Sequence, residues 1–561
     1  MKTSPIRLAL AQINVTVGDL EGNRGKIEAY VRKAEHAGAD IVVFPELALT
    51  GYPPEDLVLK PKFIRDTVTI MKDLSSHVKQ TTVIAGFTDL KENNVYNAAA
   101  VLYDGKIQGV YYKSLLPNYG VFDEKRYFTP GNTSILFQVK DIIFGITICE
   151  DIWYPQGPVS VFAEAGAKLI LNINASPYSC GKMKERESIV AEQAARNRVY
   201  IGYCNLVGGQ DELVFDGQSL VCDARGEIIS RGPAFKEDLV CVDLDIPVSS
   251  PAFSSRVVKI SPGFECGLRK DAVSPVKIEP LDPVEEIYGA LTLGLKDYVF
   301  KNGFKKVVIG LSGGIDSSLV AVLAVDALGK ENVTGVFMPS RYSSKESLDD
   351  ASEMAKNLDI NFFNISIDHL YRMYLMSLET VFAGLPRNIA EENLQARIRG
   401  TIIMALSNKF GWLVLTTGNK SEMSTGYATL YGDMAGGFAV IKDVPKLMVY
   451  KLSKFRNSLN VVIPERVFSK PPTAELSPNQ KDSDTLGSYD VLDPILKAYI
   501  EEDKSAEEIM AMGFEKDTVF RILAMVDAAE YKRRQSPPGI KITPRAFGRD
   551  RRMPITNRYR G

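Results

Sequence analysis

A short run rich in glycine and serine, Ser312-Gly313-Gly314-Ile315-Asp316-Ser317-Ser318, lies between an apolar stretch typical of a strand and one typical of a helix. The glycines permit a tight turn with positive φ, so backbone N–H groups can converge on an anion at the helix N-terminus. The serine hydroxyls add donors, and the Asp316 carboxylate suits a magnesium ion that bridges phosphates. No GxxxxGK[ST] pattern occurs in the chain. The run therefore predicts a phosphate-binding turn of a type other than the Walker A loop, and its plainest alternative is a turn that only caps the helix.

The rest of the second half alternates between helical and strand-like patterns. Stretches with helical periodicity at 283–301, 345–357 and 391–408 alternate with the apolar runs KKVVIGL, NVTGVFMP, NFFNISI and WLVLTTG. Strands that alternate with helices predict right-handed βαβ units and a parallel sheet. We expect this α/β domain to span residues 284–561.

The first half also contains many apolar runs rich in Val and Ile, such as IRLALAQI, IIFGITICE and KLILNINAS. Helical patterns at 23–37 and 185–198 and two hairpins, turning at Asp104-Gly105 and Arg225-Gly226, lie between them. This mixture predicts a layered α/β domain over residues 1–248. Residues 249–283 carry several Pro and Ser residues without a sustained period, which is typical of a linker between domains.

The run SGGIDSS resembles the pyrophosphate-binding loop of the ATP pyrophosphatase family, whose members cleave ATP between the α and β phosphates. Four further segments, ENLQARIR, TGNKSE, KPPTAEL and KRRQ, follow it in the order found in the NAD synthetase branch of that family. The resemblance implies a doubly wound parallel sheet of the adenine nucleotide alpha hydrolase type. It also implies amidation of the carboxylate of deamido-NAD through an adenylate, with release of AMP and diphosphate.

The same resemblance implies a set of binding residues in the second half. The positions expected to bind ATP are Gly310, Leu311, Ser312, Gly313, Gly314, Ile315, Asp316, Ser317, Ser318 and Thr417. Those expected to contact deamido-NAD are Asn393, Glu422 and Lys532, and those expected to hold Mg²⁺ are Asp316 and Glu422. Related synthetase domains dimerise through helices beside the active site, so we expect at least a homodimer.

Three polar residues of the first half stand at the ends of predicted strands: Glu46, Lys113 and Cys149. A free thiol is only a few per cent thiolate at neutral pH, so amide hydrolysis through a cysteine needs a base. None of the three histidines lies in a comparable place. A carboxylate can act as the base instead, and a lysine can stabilise both the thiolate and the tetrahedral oxyanion. Because Glu150 and Asp151 follow Cys149 and would raise the pKa of its thiol, we expect Lys113 to compensate.

Glu46, Lys113 and Cys149 match the Glu-Lys-Cys triad of the nitrilase superfamily in residue type and order, and the resemblance spans about residues 5–245. It implies an α-β-β-α layered domain in which Glu46 is the general base, Lys113 stabilises the oxyanion and Cys149 is acylated. Tyr119, Ser176 and Lys182 would then bind the substrate, which we take to be glutamine. The choice of glutamine rests on the fusion to a synthetase that consumes ammonia. Without Glu46 and Lys113 in matching places, Cys149 would be interpreted as a buried structural cysteine.

Composition excludes several other classes of protein. The formal net charge of −2 argues against a dedicated binder of nucleic acid or of a membrane surface. The first residues lack the apolar core of a signal peptide, and no apolar run approaches the ~18 residues that span a bilayer. The six cysteines are scattered, without a CxxC pair. We therefore expect a cytoplasmic protein with reduced thiols.

Together the two resemblances imply a carbon–nitrogen ligase that uses glutamine as amide donor, with ATP, deamido-NAD and Mg²⁺ as its other small-molecule partners. Two alternatives stay open at this point. One is another glutamine-fed ATP pyrophosphatase with a different acceptor, and the other is a scaffold in which one half is inactive. The tail GRDRRMPITNRYRG is either solvated or, as its interleaved apolar residues suggest, packed on something, for which an anionic substrate or a partner subunit is a candidate.

Overall fold

A computed structural model describes residues 2–132, 134–252, 256–262, 272–478 and 480–559. The chain folds into two compact units. The first comprises Met1–Gln210 and Val214–Leu281, and the second comprises Asp211–Leu213 and Asp282–Gly561. Cys266, one of the six cysteines, lies outside the described residues. Among the described residues, no helix has the length and apolar character needed to cross a membrane.

The first unit is rich in strands. They are β1 (Thr3–Gln12), β2 (Ile41–Val43), β3 (Thr82–Lys91), β4 (Asn94–Tyr103), β5 (Lys106–Tyr112), β6 (Leu136–Val139), β7 (Ile142–Ile148), β8 (Leu169–Asn174), β9 (Tyr200–Asn205), β10 (Val207–Gln210), β11 (Leu213–Asp216), β12 (Leu220–Cys222), β13 (Ile228–Arg231), β14 (Asp238–Pro247) and β15 (Val257–Ser261). Its helices are α1 (Leu20–His36), α2 (Pro61–His77), α3 (Pro158–Glu164) and α4 (Lys182–Asn197).

Two mixed sheets form the centre of this unit. One has the strand order β14-β1-β2-β3-β4-β5 and the other β13-β12-β9-β8-β7-β6-β15. Side chains of both sheets, such as Leu8 and Val43 of the first and Ile146 and Leu171 of the second, share one apolar core. Helices α1 and α2 pack together, with α2 against β3 of the first sheet, whereas α3 and α4 pack against β7 and β9 of the second. The layers are therefore α-β-β-α, as the sequence predicts.

The second unit contains β16 (Val307–Gly310), β17 (Val333–Phe337), β18 (Asn361–Asn364), β19 (Leu413–Thr416) and β20 (Phe438–Ala439). Its helices are α5 (Pro283–Lys301), α6 (Ile315–Leu328), α7 (Lys345–Asn357), α8 (Asp368–Leu378), α9 (Ile389–Phe410), α10 (Lys420–Thr425), α11 (Lys446–Leu459), α12 (Glu465–Ser469), α13 (Ser483–Leu486), α14 (Tyr489–Ile500), α15 (Ala506–Ala511), α16 (Lys516–Ala528) and α17 (Glu530–Arg533).

The five strands of this unit form a parallel sheet in the order β18-β17-β16-β19-β20. The chain runs from β16 outward to β18 and then returns to β19 on the other side of β16, so the direction of winding reverses between β16 and β19. Open α/β sheets bind ligands at the carboxyl ends of the strands at such a reversal. The turn after β16 and Thr417 after β19 both lie there, which confirms the expected doubly wound sheet.

Several elements differ from the sequence prediction. The stretch expected to be a linker contributes β15, which pairs with β6 in parallel. Helix α2 was not predicted, although it places Ile64, Met71 and Leu74 on one buried face at helical spacing. In the tail, Phe547 is buried in the apolar core formed by α14, α15 and α16, whereas Ile555 and Tyr559 are exposed. The tail is thus packed at its start and solvated towards its end.

Candidate active sites

Glu46 and Lys113 form a buried ion pair in the first unit. The Lys113 Nζ atom donates a hydrogen bond of 2.7 Å to Glu46 Oε1, and neither side chain is exposed to solvent. Asn97 Nδ2 donates to the same oxygen at 2.7 Å, and the backbone N–H of Ala175 donates to Oε2 at 2.9 Å. Gly86 of β3 lets this segment approach, because a Cβ there would collide with backbone atoms beside Glu46. Donors from separate segments of the chain therefore hold the carboxylate in one orientation.

A second carboxylate, Glu124, completes the cluster, and sequence reasoning missed it. Its Oε1 atom accepts from Lys113 Nζ at 2.8 Å and from the Tyr52 hydroxyl at 2.9 Å. Burial raises the pKa of Glu124 to about 7, although Lys113 opposes the rise. Burial alone would lower the pKa of Lys113, but Glu124 and Glu46 raise it well above its ordinary value. The lysine is therefore an ammonium ion held between two carboxylates.

Cys149 follows β7 directly and begins a single 3-10 turn, Cys149–Ile152. Its φ of +44° lies in the left-handed region, which is unfavourable for a residue with a Cβ and is typical of strained positions at functional sites. Burial raises the pKa of the Cys149 thiol well above its ordinary value; Glu46 adds to the rise and Lys113 opposes it. A neutral thiol beside a fixed carboxylate is an arrangement in which the carboxylate can take the proton.

The two acids that follow Cys149 have different surroundings. Asp151 is buried and accepts from the backbone N–H groups of Ile148 at 3.0 Å and Leu115 at 2.9 Å, so it fixes the turn. Glu150 accepts from the hydroxyls of Tyr119, at 2.9 Å, and Tyr154, at 3.2 Å. Glu150 is among the charges that raise the pKa of Cys149. Tyr119 therefore lies at the edge of the cysteine site through its contact with Glu150.

Ser176 and Lys182 lie on the segment between β8 and α4. Ser176 is buried, and its Oγ atom accepts from Arg186 Nε at 3.2 Å. Arg186 is itself held by Asp216 at 2.7 Å. Lys182 begins α4, donates to Glu185 at 2.9 Å and lies over the Trp153 ring at 4.2 Å. Since Trp153 comes directly after the Cys149 turn, Lys182 is also tied to that region.

In the second unit the glycine-rich turn joins β16 to α6 as predicted. Gly313 has a φ of +77°, and a Cβ there would collide with the backbone of Ser347, so only glycine fits. Ser312 Oγ accepts from the Gly314 N–H at 3.2 Å and lies 3.0 Å from Ser317 Oγ. Ser318 Oγ donates to the Gly314 carbonyl at 2.9 Å. These bonds shape a turn at the N-terminal end of α6, where anions are stabilised.

A cavity of about 290 Å³ opens beside this turn. Most of the positions expected to bind ATP line it: Gly310, Leu311, Ser312, Gly314, Ile315, Asp316, Ser317 and Thr417. Gly313 and Ser318 shape the turn without being part of the lining. Arg399 of α9 also lines the cavity, and burial lowers its pKa to about 10. Arg399 therefore makes one wall of the cavity basic.

The acidic wall centres on Asp316 and Glu422. Asp316 accepts from Asn419 Nδ2 at 2.9 Å and forms a short ion pair with Lys446 Nζ, and that nitrogen lies 3.9 Å from Glu422. Burial raises the pKa of Glu422 well above its ordinary value, and Asp316 adds to the rise. Asp482, which sequence reasoning missed, also lines the cavity and has an Oδ1 atom with no hydrogen-bond partner among the described residues.

The segment KPPTAEL forms another part of the wall. Glu475 accepts from Ser347 Oγ at 2.7 Å, from Ser344 Oγ at 2.8 Å and from Lys470 Nζ at 3.0 Å. The first two donors stand at the start of α7. The motif is thus fixed against the sheet beside the glycine-rich turn.

Asn393 and Lys532 do not line this cavity. Asn393 Oδ1 accepts from Thr429 Oγ1 at 2.7 Å, and Thr429 does line it. Lys532 Nζ donates to the carbonyls of Gly426 at 2.7 Å and Ala428 at 2.8 Å. Asn393 and Lys532 therefore both contact the short segment 426–429 that follows α10. This segment includes Thr429, which lines the cavity.

Comparison with known proteins shows what these two sites belong to. A model of the carbon-nitrogen hydrolase family matches residues 7–251, and a model of the NAD synthase family matches residues 287–536. The chain is 54% identical to the glutamine-dependent NAD(+) synthetase of Thermotoga maritima over 99% of both chains. The chain belongs to the glutamine-dependent NAD(+) synthetases.

Other members of this family are also similar to this chain over nearly their full length. The glutamine-dependent NAD(+) synthetase of Aquifex aeolicus is 49% identical over 99% of this chain and 100% of its own. The structure of the enzyme from Acinetobacter baumannii in complex with ADP is 42% identical, covers 99% of both chains and superposes with a TM-score of 0.76. A family member from Cytophaga hutchinsonii superposes with a TM-score of 0.82 at 25% identity.

As a glutamine-dependent NAD(+) synthetase, the protein is a carbon–nitrogen ligase. It hydrolyses glutamine for ammonia and uses ATP to amidate deamido-NAD, which excludes the different acceptor and the inactive scaffold considered from the sequence. The carbon-nitrogen hydrolase model covers the residues around Cys149, and the NAD synthase model covers the cavity beside the glycine-rich turn.

Proposed function

We propose that Cys149 is the nucleophile of the glutaminase half and that Glu46 is its general base. The observation that carries this proposal is the buried group of Glu46, Lys113 and Glu124 whose charges act on the Cys149 thiol. Glu46 takes the thiol proton as sulfur attacks the glutamine carboxamide. It then delivers that proton to the departing ammonia, and a water molecule hydrolyses the γ-glutamyl thioester. The ammonium group of Lys113 stabilises the oxyanion of both tetrahedral intermediates.

Glutamine is bound by residues around the Cys149 turn. Tyr119, Ser176 and Lys182 are the proposed contacts, and Ser176 and Lys182 frame the loop before α4. The structure adds Glu150, a buried carboxylate that receives two tyrosine hydroxyls and forms no ion pair among the described residues. A carboxylate in that state suits the α-ammonium group of glutamine, because the substrate would supply the missing cation.

We also propose that ATP binds in the cavity of the second unit with its phosphates on the turn Ser312–Ser318 and with Thr417 at the end of β19. Asn393, Glu422 and Lys532 are the proposed contacts for deamido-NAD. Its carboxylate attacks the α-phosphate, diphosphate leaves, and ammonia then displaces AMP. The basic wall at Arg399 and the N-terminal end of α6 favour the polyphosphate at this position.

The residues present fit a magnesium ion. No group of three or more His, Cys, Asp or Glu side chains among the described residues is arranged as a metal site. Magnesium, however, is held at such sites by one or two carboxylates together with substrate phosphates. Asp316 and Glu422 supply two carboxylates beside the turn, and Asp482 adds an oxygen that lacks a hydrogen bond. When bound there, the ion would neutralise charge on the departing diphosphate.

The proposed domain limits are residues 1–248 and 284–561 with a connecting segment at 249–283. A homo-oligomer, at least a dimer, is supported by an apolar surface on and after α8, whose exposed side chains include Met373, Met376, Val381, Leu385 and Ile389. Patches of this kind mark association surfaces. A cytoplasmic location is supported by Cys149, Cys204, Cys222 and Cys241, which are all free thiols.

The test of the proposal is product analysis with deamido-NAD, MgATP and glutamine labelled with ¹⁵N in its amide. The expected products are labelled NAD, glutamate, AMP and diphosphate in equal amounts. Release of ADP and phosphate would place ATP cleavage at the γ-phosphate and contradict the role given to the turn. Unlabelled NAD would contradict transfer of the glutamine nitrogen.

A further inference from the structure

The second unit contains another cavity, which shares no lining residue with the one beside the glycine-rich turn. Its volume is about 280 Å³, and it lies among the loop before α11, the helix α17 and the tail from Phe547 to Arg551. Five of its lining side chains are cationic: Lys442, Arg533, Arg534, Arg549 and Arg551. Two are carboxylates: Glu530 and Glu212, which stands in the short segment that groups with this unit. The lining therefore carries three more positive charges than negative ones.

Most of the available negative charge is already engaged. Glu530 accepts from Arg533 Nη2 at 2.9 Å and from Arg534 Nε at 2.9 Å. Arg551 is 5% exposed, and its Nη1 atom has no hydrogen-bond partner among the described residues, since Glu530 Oε2 lies 3.6 Å away. The Lys442 Nζ atom donates to the uncharged carbonyl of Pro537 at 2.7 Å. Among the described residues, Lys442 thus forms no ion pair, and Arg551 forms only the long one to Glu530.

Other acidic groups around the cavity do not remove this excess. Asp550 is bound by Lys541 Nζ at 2.5 Å, and Asp211 lies 3.9 Å from Arg549 Nη2. Burial lowers the pKa of Lys442 although Glu212 opposes the fall, and it also lowers the pKa of Arg551 although Glu530 opposes it. The buried positive charge is therefore compensated only in part.

Two of the guanidinium groups also share one aromatic ring. Arg533 lies 4.7 Å and Arg551 lies 6.0 Å from the centre of the Phe547 ring. Phe547 is buried in the helical core, so it fixes both arginines at the cavity. Like charges held this close repel each other, and the single carboxylate of Glu530, which lies near both, offsets only one of the two charges.

We propose that this cavity binds a small phosphate-type oxyanion, with Arg549 and Arg551 as its ligands and Lys442 as a further cation. Guanidinium groups offer paired N–H donors that match phosphate oxygens. The cavity, of about 280 Å³, has room for a phosphate or diphosphate group, and its cationic lining matches the charge of such a group. Free phosphate, diphosphate and the phosphate of a nucleotide share this chemistry.

The test measures binding of inorganic phosphate to the full chain by calorimetry, alongside the phosphate-induced rise in melting temperature. Four proteins are compared: the wild type, Arg549→Gln, Arg551→Gln and Arg552→Gln. Arg552 does not line the cavity, so its variant is the matched control. All four proteins keep the glycine-rich turn, so phosphate binding there is the same in each. Differences in phosphate affinity between them therefore report on the second cavity. Parallel titrations with diphosphate, AMP and glutamate identify the source of the anion.

We expect Arg549→Gln and Arg551→Gln to weaken one class of phosphate sites at least about tenfold, because each removes charged hydrogen bonds, and Arg552→Gln to leave it unchanged. If diphosphate or AMP binds more tightly than phosphate and is weakened by the same two substitutions, the proposal is supported and that molecule is identified as the source of the phosphate group. Equal phosphate binding by all four proteins would overturn it, and so would a dependence seen only with glutamate. If Arg551→Gln does not fold, the partly exposed Arg549 decides the question.

Discussion

The Lys113 Nζ atom lies 2.7 Å from Glu46 Oε1 and 2.8 Å from Glu124 Oε1, and all three side chains are buried. The lysine thus ties a proposed general base to a second carboxylate inside the glutaminase unit. Breaking one partner of such a group leaves an uncompensated buried charge, which is costly. The arrangement therefore fixes the orientation of the Glu46 carboxylate.

Replacement of the proposed base tests its role directly. Glu46→Gln keeps the shape of the side chain but cannot accept the thiol proton, so we expect glutaminase turnover to fall ~10²–10⁴-fold. Synthesis from added ammonia should continue at the wild-type rate. Glu164→Gln, at an exposed position of α3, is the matched control. A near-normal glutaminase rate in Glu46→Gln would mean that another group is the base.

The raised pKa of Glu124 predicts a pH dependence. Since its pKa is raised to about 7, Glu124 gains its negative charge between pH 6 and 8, and we expect glutaminase kcat/KM to rise over that interval. Glu124→Gln should remove this inflection, whereas Asp123→Asn should keep it. An unchanged pH profile in Glu124→Gln would contradict the assignment.

The same shift has a consequence for stability. A carboxyl whose pKa is raised in the folded state holds its proton more tightly there than in the unfolded chain. Its contribution to the free energy of unfolding therefore falls as the pH rises from its ordinary value near 4.5 to about 7. In Glu124→Gln, the melting temperature of the glutaminase unit should depend less on pH over this interval. The calorimetric melting curve at several pH values measures it.

Glu150 is predicted to recognise the α-ammonium group of glutamine. Glu150→Gln removes the charge but keeps a partner for the Tyr119 and Tyr154 hydroxyls, so we expect the KM for glutamine to rise about 10–100-fold, as for the loss of a charged hydrogen bond. Steady-state kinetics with glutamine check this, and Glu192→Gln, at an exposed ion pair of α4, serves as control. An unchanged KM would remove Glu150 from substrate binding.

Asp316 tests the synthetase site. Asp316→Asn weakens magnesium binding beside the diphosphate and removes the partner of Lys446, so synthesis should fall sharply with glutamine and with ammonia alike. Asparagine caps a helix almost as well as aspartate, so a purely structural Asp316 would tolerate the change. Asp359→Asn, at an exposed ion pair, is the control. Full activity in Asp316→Asn would contradict its role.

Much of the fold and site was predictable because strong local patterns carry it. The runs that became β7 and β16 are continuous and apolar, and Cys149 and the glycine-rich turn follow them directly. Glu124 was not predictable in the same way, since it stands on a 3-10 turn of three residues in a polar segment. Asp482 lies in a comparable connection before α13. Long-range packing places both residues, and no local periodicity marks them.

The central claim is that ammonia release and ATP-dependent amidation occur at separate sites of one chain. Cys149→Ala measures it most directly when NAD synthesis is followed with glutamine and, separately, with ammonia as the nitrogen source. Cys241→Ala, at a half-buried cysteine on β14 of the same unit, is the control. We predict that Cys149→Ala loses synthesis from glutamine and keeps the wild-type rate with ammonia. Normal synthesis from glutamine, or loss of both activities in a folded variant, would contradict the account.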